Sequence, residues 1–567
     1  MNAFPFTAAL VGFCMALTPA VSADLTLVKD GVPIGAIVLE ANAPAPVQLG
    51  AKELQKYVKE MSGAELPIQT EGKNASRKGF LLKNSPKLGE EEFTLGTKGA
   101  QVIITGGGKR GVLYGCMAFL EDTLGCRWYT SRITHIPKMA TIILRRLKVH
   151  EKPAFEYREP YYTEAFNGVW AYHNRVNGNS QALDNNMGGK VSYGPFVHTF
   201  SSLVPPEKYF ATHPEYFSMV NGKRMDGYAQ LCLTNPDVLK ISIEQVRQWI
   251  RDMPNATIFS VSQNDTGYNC QCDKCKAVEK EEGAPSGVAL RFVNAVADAI
   301  KQESPNVLID TLAYQWTEDP PKLVRPHSNV RVRLAPISAC FAHPMDGCTE
   351  NKKPYANLQA WGKITNQLYI WHYSTNFANY FQPLPDLDEI AGDIPIFKKN
   401  GVVGLFYEGA YGPLGGGEMA ELKSYLMAKM MWNTSAPVKP IITDFLKGVY
   451  GPAAPYIQQW LDLLHQPARE SKVNAHIYDP PTAAYLSPAT IAEGLKLFDQ
   501  AEQAARGNDV AVEEVQRARL ALEYVQLMQN PANKDLAVIV AEKVRRYGFG
   551  QAREGEPIAD FLKRIGQ

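Results

Sequence analysis

Short apolar runs alternate with longer amphipathic segments along most of the chain. Near its beginning, Leu25–Val28 and Ala36–Leu39 are apolar runs separated by the turn pair Asp30-Gly31, which predicts two strands. The next apolar positions recur at helical spacing until Gly63, which predicts a helix that ends at this glycine. Together with a later strand and helix, these elements predict a small N-terminal α/β domain over residues 24–150.

The middle of the chain repeats a strand followed by a helix. The predicted strands are Phe155–Arg158, Ile258–Ser262, Val307–Tyr314, Val330–Pro336, Leu368–Tyr373 and Val402–Tyr407. The predicted helices include Val238–Arg251, Val288–Lys301 and Glu418–Trp432. Such repeats over residues 151–433 favour an α/β fold of the (β/α)8 TIM-barrel type, with an open doubly wound sheet as the alternative. Two of the eight strands are not identified, because residues 160–235 are irregular and rich in Gly and Asn.

The last part of the chain, residues 434–567, is predicted to be a helical region. Its clearest helices are Ile491–Ala505, Val510–Met528 and Asp535–Arg546, which are rich in Ala, Leu, Glu, Gln and Arg.

The first residues have the pattern of a signal peptide. Phe4–Leu17 is apolar, and the small residues of Val21-Ser22-Ala23 suit a cleavage site after residue 23. The apolar run is shorter than the roughly 20 residues that a spanning helix needs. We therefore expect a periplasmic or secreted protein with no membrane partner after cleavage.

Composition narrows the classes of partner. The 567 residues carry 59 basic and 58 acidic side chains, for a net charge of +1. This balance gives no reason to expect nucleic acid or an anionic membrane as partner. No HExxH motif or histidine cluster indicates a catalytic metal, and no cofactor is expected. The sequence leaves the oligomeric state open.

Two carboxyl groups follow predicted strands of the central region. Ile258–Ser262 runs into Gln263-Asn264-Asp265, and Val402–Tyr407 runs into Glu408. Reactive residues of a parallel barrel gather where strands end. Asp265 and Glu408 are therefore the catalytic candidates, and Asn264 could orient an amide or hydroxyl of a substrate. The alternatives are an Asx turn at Asp265 and an ion pair or helix cap at Glu408.

Aromatic and polar residues near the other strand ends are candidates for binding a substrate. Aromatic faces can contact the C–H surfaces of sugars, while charged groups can bind hydroxyls or acids. Each of them could equally be a core or ion-paired residue. The candidates are Arg158, Glu164, Trp170, His198, Tyr314, Trp371, His372 and Tyr407.

The sharpest local motif is Cys270-x-Cys272-x-x-Cys275, just after Asp265. With Cys232 as a fourth ligand, these thiols could bind a structural zinc ion. In an exported protein the same cysteines could instead form disulfides. Both interpretations stay open, and in either case the cysteines would hold the loop that carries Asp265.

Several stretches resemble known families. Ala51–Val58 with Gly111–Gly115 resembles the N-terminal domain shared by family 67 α-glucuronidases and family 20 hexosaminidases. Three further stretches resemble the bacterial family called domain of unknown function 4838. They are His213–Phe217 through Leu231–Pro236, Asn264-Asp265 with the cysteine motif, and Gly401–Gly409.

Part of that family is glycoside hydrolase family 163, so the resemblance implies a barrel glycosidase. It further implies a bond to an N-acetylhexosamine-type sugar in a complex glycan, cleaved with retention and with help from the substrate's own acetamido group. The residues of this sequence at the matching positions are Asn264, Asp265 and Glu408, and Glu408 is the expected proton donor. The first alternative is an inverting α-glucuronidase-like hydrolase of uronic-acid glycans, with Arg158 or Arg175 on the substrate carboxylate. The second is a carbohydrate-binding protein without catalysis.

Overall fold

A computed structural model describes residues 25–412 and 415–567. The predicted signal peptide over residues 1–23 lies outside the described residues. Among the described helices, none combines the length and the apolar character needed to cross a bilayer.

The first part of the chain forms two main sheets and two helices. Its strands are β1 (Leu25–Lys29), β2 (Val32–Pro33), β3 (Ala36–Leu39), β4 (Ile68–Thr70), β5 (Gly79–Asn84), β6 (Phe93–Lys98), β7 (Gln101–Gly106), β8 (Arg127–Trp128), β9 (Thr134–His135), β10 (Ile142–Leu144) and β11 (Lys148–Glu151). Its helices are α1 (Ala45–Ser62) and α2 (Gly111–Ala118). The sheet orders are β10-β1-β2 and β11-β6-β7-β5-β3-β4, and β8 pairs with β9. Gly63 ends α1 in the left-handed conformation, with φ at 79°, as its position predicts.

The central sheet has six parallel strands in the order β12-β19-β18-β17-β16-β15. They are β12 (Tyr157–Tyr161), β15 (Ile258–Ser260), β16 (Leu308–Tyr314), β17 (Val330–Ala335), β18 (Leu368–Tyr373) and β19 (Val402–Glu408). The short hairpin of β13 (Met219–Val220) and β14 (Lys223–Arg224) lies between the first two along the chain. All six predicted strands are confirmed, although β12 begins two residues later than predicted.

The central sheet is a curled half-barrel. The described residues do not contain the two further strands that the predicted eight-stranded barrel requires. Irregular segments cross the gap between β12 and β15. The amide of Asn177 donates to the carbonyl of Arg158 (3.3 Å), and Val191 donates to Asn177 (2.9 Å). Gly194 then donates to Ile258 in β15 (2.8 Å). These segments are rich in Gly and Asn, which disfavour regular strands.

Helices cover the central sheet and form the last part of the chain. Those of the central part are α3 (Gly168–His173), α4 (Phe200–Leu203), α5 (Pro206–Tyr209), α6 (Pro236–Asp252), α7 (Asp273–Glu282), α8 (Pro285–Glu303), α9 (Lys352–Ile364), α10 (Leu387–Lys399) and α11 (Ala420–Trp432). The remaining elements are α12 (Val438–Tyr450), α13 (Ala454–Arg469), α14 (Pro488–Ala505), α15 (Asp509–Gln529), α16 (Lys534–Tyr547), a hairpin of β20 (Gln551–Arg553) and β21 (Glu556–Pro557), and α17 (Ile558–Arg564).

The concave side of the central sheet is filled by buried aromatic and charged residues. Tyr157 and Tyr369 stack with ring centroids 5.4 Å apart. Deeper polar groups are paired, because the Arg333 guanidinium donates to the Asp310 carboxylate at 2.9 Å and both are almost fully buried. This filled interior provides a floor beneath the loops that follow the strands.

We expect Gly404→Ala to destabilise the protein by about 1–3 kcal/mol, because it overpacks this interior. A Cβ on Gly404 in β19 would lie 2.4 Å from the Tyr369 ring. The measurement is the midpoint of thermal unfolding. Gly96→Ala in β6 is the matched control, since its Cβ would meet no atom within 4 Å. Equal midpoints for the two variants would contradict the expected overpacking.

Candidate active site

A cavity of about 310 Å³ lies at the carboxyl ends of the central strands. It is lined mainly by aromatic residues, with carboxyl groups from three separate parts of the chain. Its lining residues are Tyr161, Phe196, Val197, His198, Asp265, Leu312, Tyr314, Ala335, Ile337, Trp371, Tyr373, Phe377, Phe406, Glu408, Tyr411, Tyr478 and Glu554. The structure thus brings the two predicted catalytic residues, Asp265 and Glu408, to one cavity.

Strand alternation selects which side chains reach this cavity. In β18, Trp371 and Tyr373 line it, while His372 between them faces the helices. In β19, Phe406 and Glu408 line it, while Tyr407 points outward. Successive side chains of a strand point to opposite faces, so neighbours in sequence cannot share the cavity.

Glu408 is a buried carboxyl group with one strong hydrogen bond. It is 8% exposed, and the indole N–H of Trp371 donates to its Oε2 at 2.8 Å. Burial in the aromatic cavity raises the pKa of Glu408 from its ordinary value of 4.5 to about 8, against the lowering effect of the Trp371 hydrogen bond. The negative charges of Glu554 and Asp265 raise this pKa further. At neutral pH the carboxyl group therefore holds a proton that it can donate.

Asp265 lies in the loop that follows β15, and its side chain is exposed to the cavity. The amide of Gln315 donates to its Oδ1 at 3.4 Å. The side-chain amide of Gln230 holds the backbone on both sides of Asp265, because it donates to the carbonyls of Asn264 (2.8 Å) and Thr266 (2.7 Å). The carboxyl group is thus free to meet a ligand while its backbone is fixed.

Three of the predicted binding residues line the cavity: His198, Tyr314 and Trp371. His198 adopts a left-handed backbone conformation (φ 54°), and its Nδ1 lies 2.8 Å from the carbonyl oxygen of Gln263. The hydroxyl of Tyr314 accepts a hydrogen bond from Gln315 at 2.9 Å.

Asn264, His372 and Tyr407 do not line the cavity, contrary to prediction. The Asn264 amide is fully buried, where it donates to the carbonyl of Ala229 at 2.6 Å. His372 lies 2.5 Å from the carboxylate of Glu389 in α10, and Tyr407 packs against the His372 ring. Strand alternation turns the last two away, while loop hydrogen bonds hold Asn264.

Arg158 and Trp170 are structural residues as well, contrary to prediction. Arg158 is fully buried and pairs with Glu91 of the first part of the chain at 2.8 Å. Trp170 is buried, and its indole N–H donates to the carbonyl of Tyr129 at 3.3 Å. Arg158 lies within β12 and Trp170 in α3 after it, but both side chains contact the first part of the chain.

Glu164 lies in a second cavity of about 310 Å³, not beside Glu408. Burial and the neighbouring Glu421 raise the pKa of Glu164 to about 7. The charges of this cavity pair with one another, since Arg132 lies 3.0 Å from Glu421 and 3.2 Å from Glu514. This second cavity therefore has fewer unpaired polar groups that could contact a substrate than the cavity of Glu408 has.

Sequence reasoning missed the residues that the last part of the chain contributes. Tyr478 and Glu554 line the cavity, and the hydroxyl of Tyr411 donates to Glu554 at 2.8 Å. Glu554 is brought there by backbone hydrogen bonds that join the β20 hairpin to the loop after β18. No local pattern in the sequence signals these positions, since they lie in short loops far from the strands.

Cys232, Cys270, Cys272 and Cys275 are buried, separate thiols. Their sulfur atoms all lie within 4.8 Å of one another, so the structure brings together the four residues that the motif predicts.

We expect Trp371→Phe to move the alkaline limb of the pH–activity profile upward by about one pH unit, because the variant loses a charge-assisted hydrogen bond of about 1.5 kcal/mol. That bond stabilises ionised Glu408, so its loss raises the pKa above the wild-type value of about 8. A general acid acts in its protonated form, so activity that depends on Glu408 as proton donor would be present below the pKa and lost above it. The measurement is kcat from pH 5 to 10. An alkaline limb that does not move would show that this limb does not report the ionisation of Glu408.

Solved structures of glycoside hydrolases resemble this fold at low sequence identity. A family 115 4-O-methyl-α-glucuronidase with specificity for decorated arabinogalactans is 12% identical with a TM-score of 0.55, over 93% of this chain and 77% of that chain. The chitobiase of Flavobacterium johnsoniae is 10% identical with a TM-score of 0.47, over 96% and 97% of the two chains. The β-N-acetylhexosaminidase of Bacteroides fragilis is 12% identical with a TM-score of 0.42, over 73% and 89%. The first of these scores indicates a shared mixed α/β fold.

The sequence itself gives a family match. No curated protein matches it at a significant level. The family model described as "Domain of unknown function (DUF4838)" matches residues 128–462, more than half of the chain, which includes all six central strands and both Asp265 and Glu408. The chain therefore belongs to the family of domain of unknown function 4838.

Proposed function

We propose that this protein is a glycoside hydrolase in which Glu408 is the general acid. The observation that carries the proposal is the buried carboxyl group of Glu408, which lies in a cavity at the carboxyl ends of the parallel strands and whose pKa is raised by that burial. A glycosidic oxygen needs a proton as it leaves, and a carboxyl group with a raised pKa is the usual donor. The hydrogen bond from Trp371 aims that carboxyl group into the cavity and supports its ionised form after transfer.

The walls of the cavity suit a sugar ring. Aromatic faces from Phe196, Trp371 and Phe406 can contact its C–H surfaces. His198 and Glu554 offer polar groups to its hydroxyls. About 310 Å³ is at the lower end of the range for small-molecule sites, which suits one or two sugar units with the rest of a glycan outside.

The proposed substrate is an N-acetylhexosamine-type glycoside in a complex glycan, cleaved with retention. The substrate's acetamido oxygen would attack the anomeric carbon while Glu408 protonates the leaving oxygen. Asp265 would orient the acetamido group and stabilise the positive charge that develops on it. Water would then open the cyclic intermediate, with ionised Glu408 as the base. This role suits Asp265 because its carboxyl group is exposed to the cavity while its backbone is held on both sides.

The charges of the cavity argue against a uronic acid as substrate. A uronate carboxylate needs a cation, and the described lining residues include no Lys or Arg. The two arginines that could have served are engaged elsewhere, since Arg158 pairs with Glu91 and Arg175 with Glu121 at 2.7 Å. The negative charges of Asp265 and Glu554, which also raise the pKa of Glu408, would repel a uronate.

The test is hydrolysis by the purified full chain on a panel of glycosides. The panel includes 4-nitrophenyl β-N-acetylhexosaminides, 4-nitrophenyl uronides, and glycoproteins with complex glycans, which separate exo from endo action. Release from N-acetylhexosamine-containing substrates is expected, with the β-anomer as the first product by NMR. Cleavage of uronides alone would overturn the proposed substrate, and binding without any turnover would overturn the proposed activity.

A further inference from the structure

Four cysteines that the proposed mechanism does not use meet at one point behind the Asp265 loop. Cys232 follows the β13–β14 hairpin, Cys270 and Cys272 lie in the loop after β15, and Cys275 lies in the first turn of α7. All four side chains are buried, with at most 9% exposed. Two stretches far apart in sequence thus direct four sulfur atoms to one point.

The spacing of the sulfur atoms is compatible with a metal tetrathiolate. A zinc–sulfur bond is about 2.3 Å, so the edge of a regular ZnS4 tetrahedron is about 3.8 Å. The Sγ atoms of Cys232 and Cys272 are 3.7 Å apart, and all four sulfur atoms lie within 4.8 Å of one another. A disulfide would need a sulfur–sulfur distance of about 2.05 Å.

The groups around the sulfur atoms are hydrogen-bond donors, as bound thiolates require. The amide N–H of Met219 donates to Cys270 Sγ at 3.3 Å, and the Arg224 guanidinium lies 3.9 Å from the same atom. The Thr234 hydroxyl lies 3.2 Å from Cys275 Sγ. Four thiolates on one divalent cation leave a net charge of −2, which these donors and the Arg224 cation offset.

From this geometry we propose that Cys232, Cys270, Cys272 and Cys275 bind one structural zinc ion. Thiolate ligands select soft cations, and four thiolates with no open position form a closed, non-catalytic site. The ion would tie the segment that contains Gln230 to the loop that contains Asp265. Gln230 holds the backbone on both sides of Asp265, so the site would support that loop without touching the substrate.

The first experiment measures metal in the full chain, purified under reducing conditions without a polyhistidine tag and dialysed against a weak chelator. We expect about one zinc per chain, the content of a single closed site. An organomercurial thiol reagent should release it to a chromogenic indicator. Zinc at background level, stoichiometric iron in its place, or disulfides among the four cysteines in non-reducing peptide maps of the chain purified without reductant would each overturn the proposal.

Variants then locate the metal. Cys272→Ser and Cys275→Ser should each lose most of the zinc, while Cys126→Ser, a buried thiol outside the cluster, should keep it. Zinc retained by both cluster variants would overturn the assignment even if the wild type contains the metal. Cobalt incorporated into the wild-type chain gives a readout that does not depend on variant folding, since a tetrahedral thiolate site shows intense visible and charge-transfer bands. A weak octahedral spectrum would contradict four thiolate ligands. Both measurements are independent of hydrolysis, so their failure leaves the proposed glycosidase untouched.

Discussion

Glu408→Gln should lower kcat on natural glycans by roughly 10²–10⁴-fold, the usual contribution of a general acid. The amide keeps the size of the side chain and can still accept the hydrogen bond from Trp371, so substrate binding should change little. The measurements are kcat and KM on a glycan, with Glu303→Gln as the matched control. Glu303 lies at the end of α8, where it pairs with Arg247 on the surface.

Comparing substrates with different leaving groups gives the most specific test of acid catalysis by Glu408. A 4-nitrophenolate leaves without much protonation, so the variant should lose far less activity on nitrophenyl glycosides than on sugar leaving groups. Equal losses on both would indicate a role for Glu408 other than acid catalysis. Full activity on both would remove Glu408 from the mechanism.

The same substitution should make the protein more stable at alkaline pH. Burial raises the pKa of Glu408 from 4.5 to about 8, so the native state keeps a proton that the unfolded chain releases between these values. The stability that this proton contributes is fully present below pH 4.5 and is lost as the pH rises toward 8. Glutamine cannot ionise, so the variant should retain its thermal midpoint above pH 8 better than the wild type. Together with lost turnover, this result would exclude misfolding as the cause.

Asp265→Asn should lower kcat on N-acetylhexosaminides by roughly 10²–10³-fold, because asparagine cannot offer a negative charge to the developing positive charge. Binding of a thiazoline mimic of the cyclised intermediate should weaken in this variant and persist in Glu408→Gln. Asp252→Asn on the surface of α6, where Asp252 accepts a hydrogen bond from Gln248 at 2.7 Å, is the matched control. Unchanged kcat in Asp265→Asn would refute its assigned role.

Fluorination of the substrate tests the acetamido group separately. Each fluorine on the acetyl methyl weakens the carbonyl oxygen as a nucleophile, so wild-type kcat should fall steadily along the series. A flat series would favour a protein carboxylate or water as the nucleophile, while Glu408 would remain the acid.

The sequence predicted that both carboxyl candidates lie near strand ends, where the structure shows one cavity, because strand ends can be recognised locally. Asp265 and Glu408 each follow an apolar run, and parallel strands bring their carboxyl ends to one edge. The alternation of side chains along a strand could have separated Trp371 from its neighbour His372, since consecutive residues cannot face the same side. Choosing aromatic and polar residues for their position near strand ends made His372 and Tyr407 candidates, although β18 and β19 turn these two side chains outward.

By itself the sequence determined the elements, the family resemblance, and the positions from which Asp265 and Glu408 leave their strands, because hydrophobic periodicity and turn residues act over a few neighbours. Tertiary structure decided that the central sheet has six regular strands with irregular segments across the gap. It also brought Glu554 and Tyr478 to the cavity and set Arg158 against Glu91 instead of a substrate. The raised pKa of Glu408 also depends on tertiary structure, because its carboxyl group is desolvated by aromatic residues that are distant in the chain and adjacent only after folding.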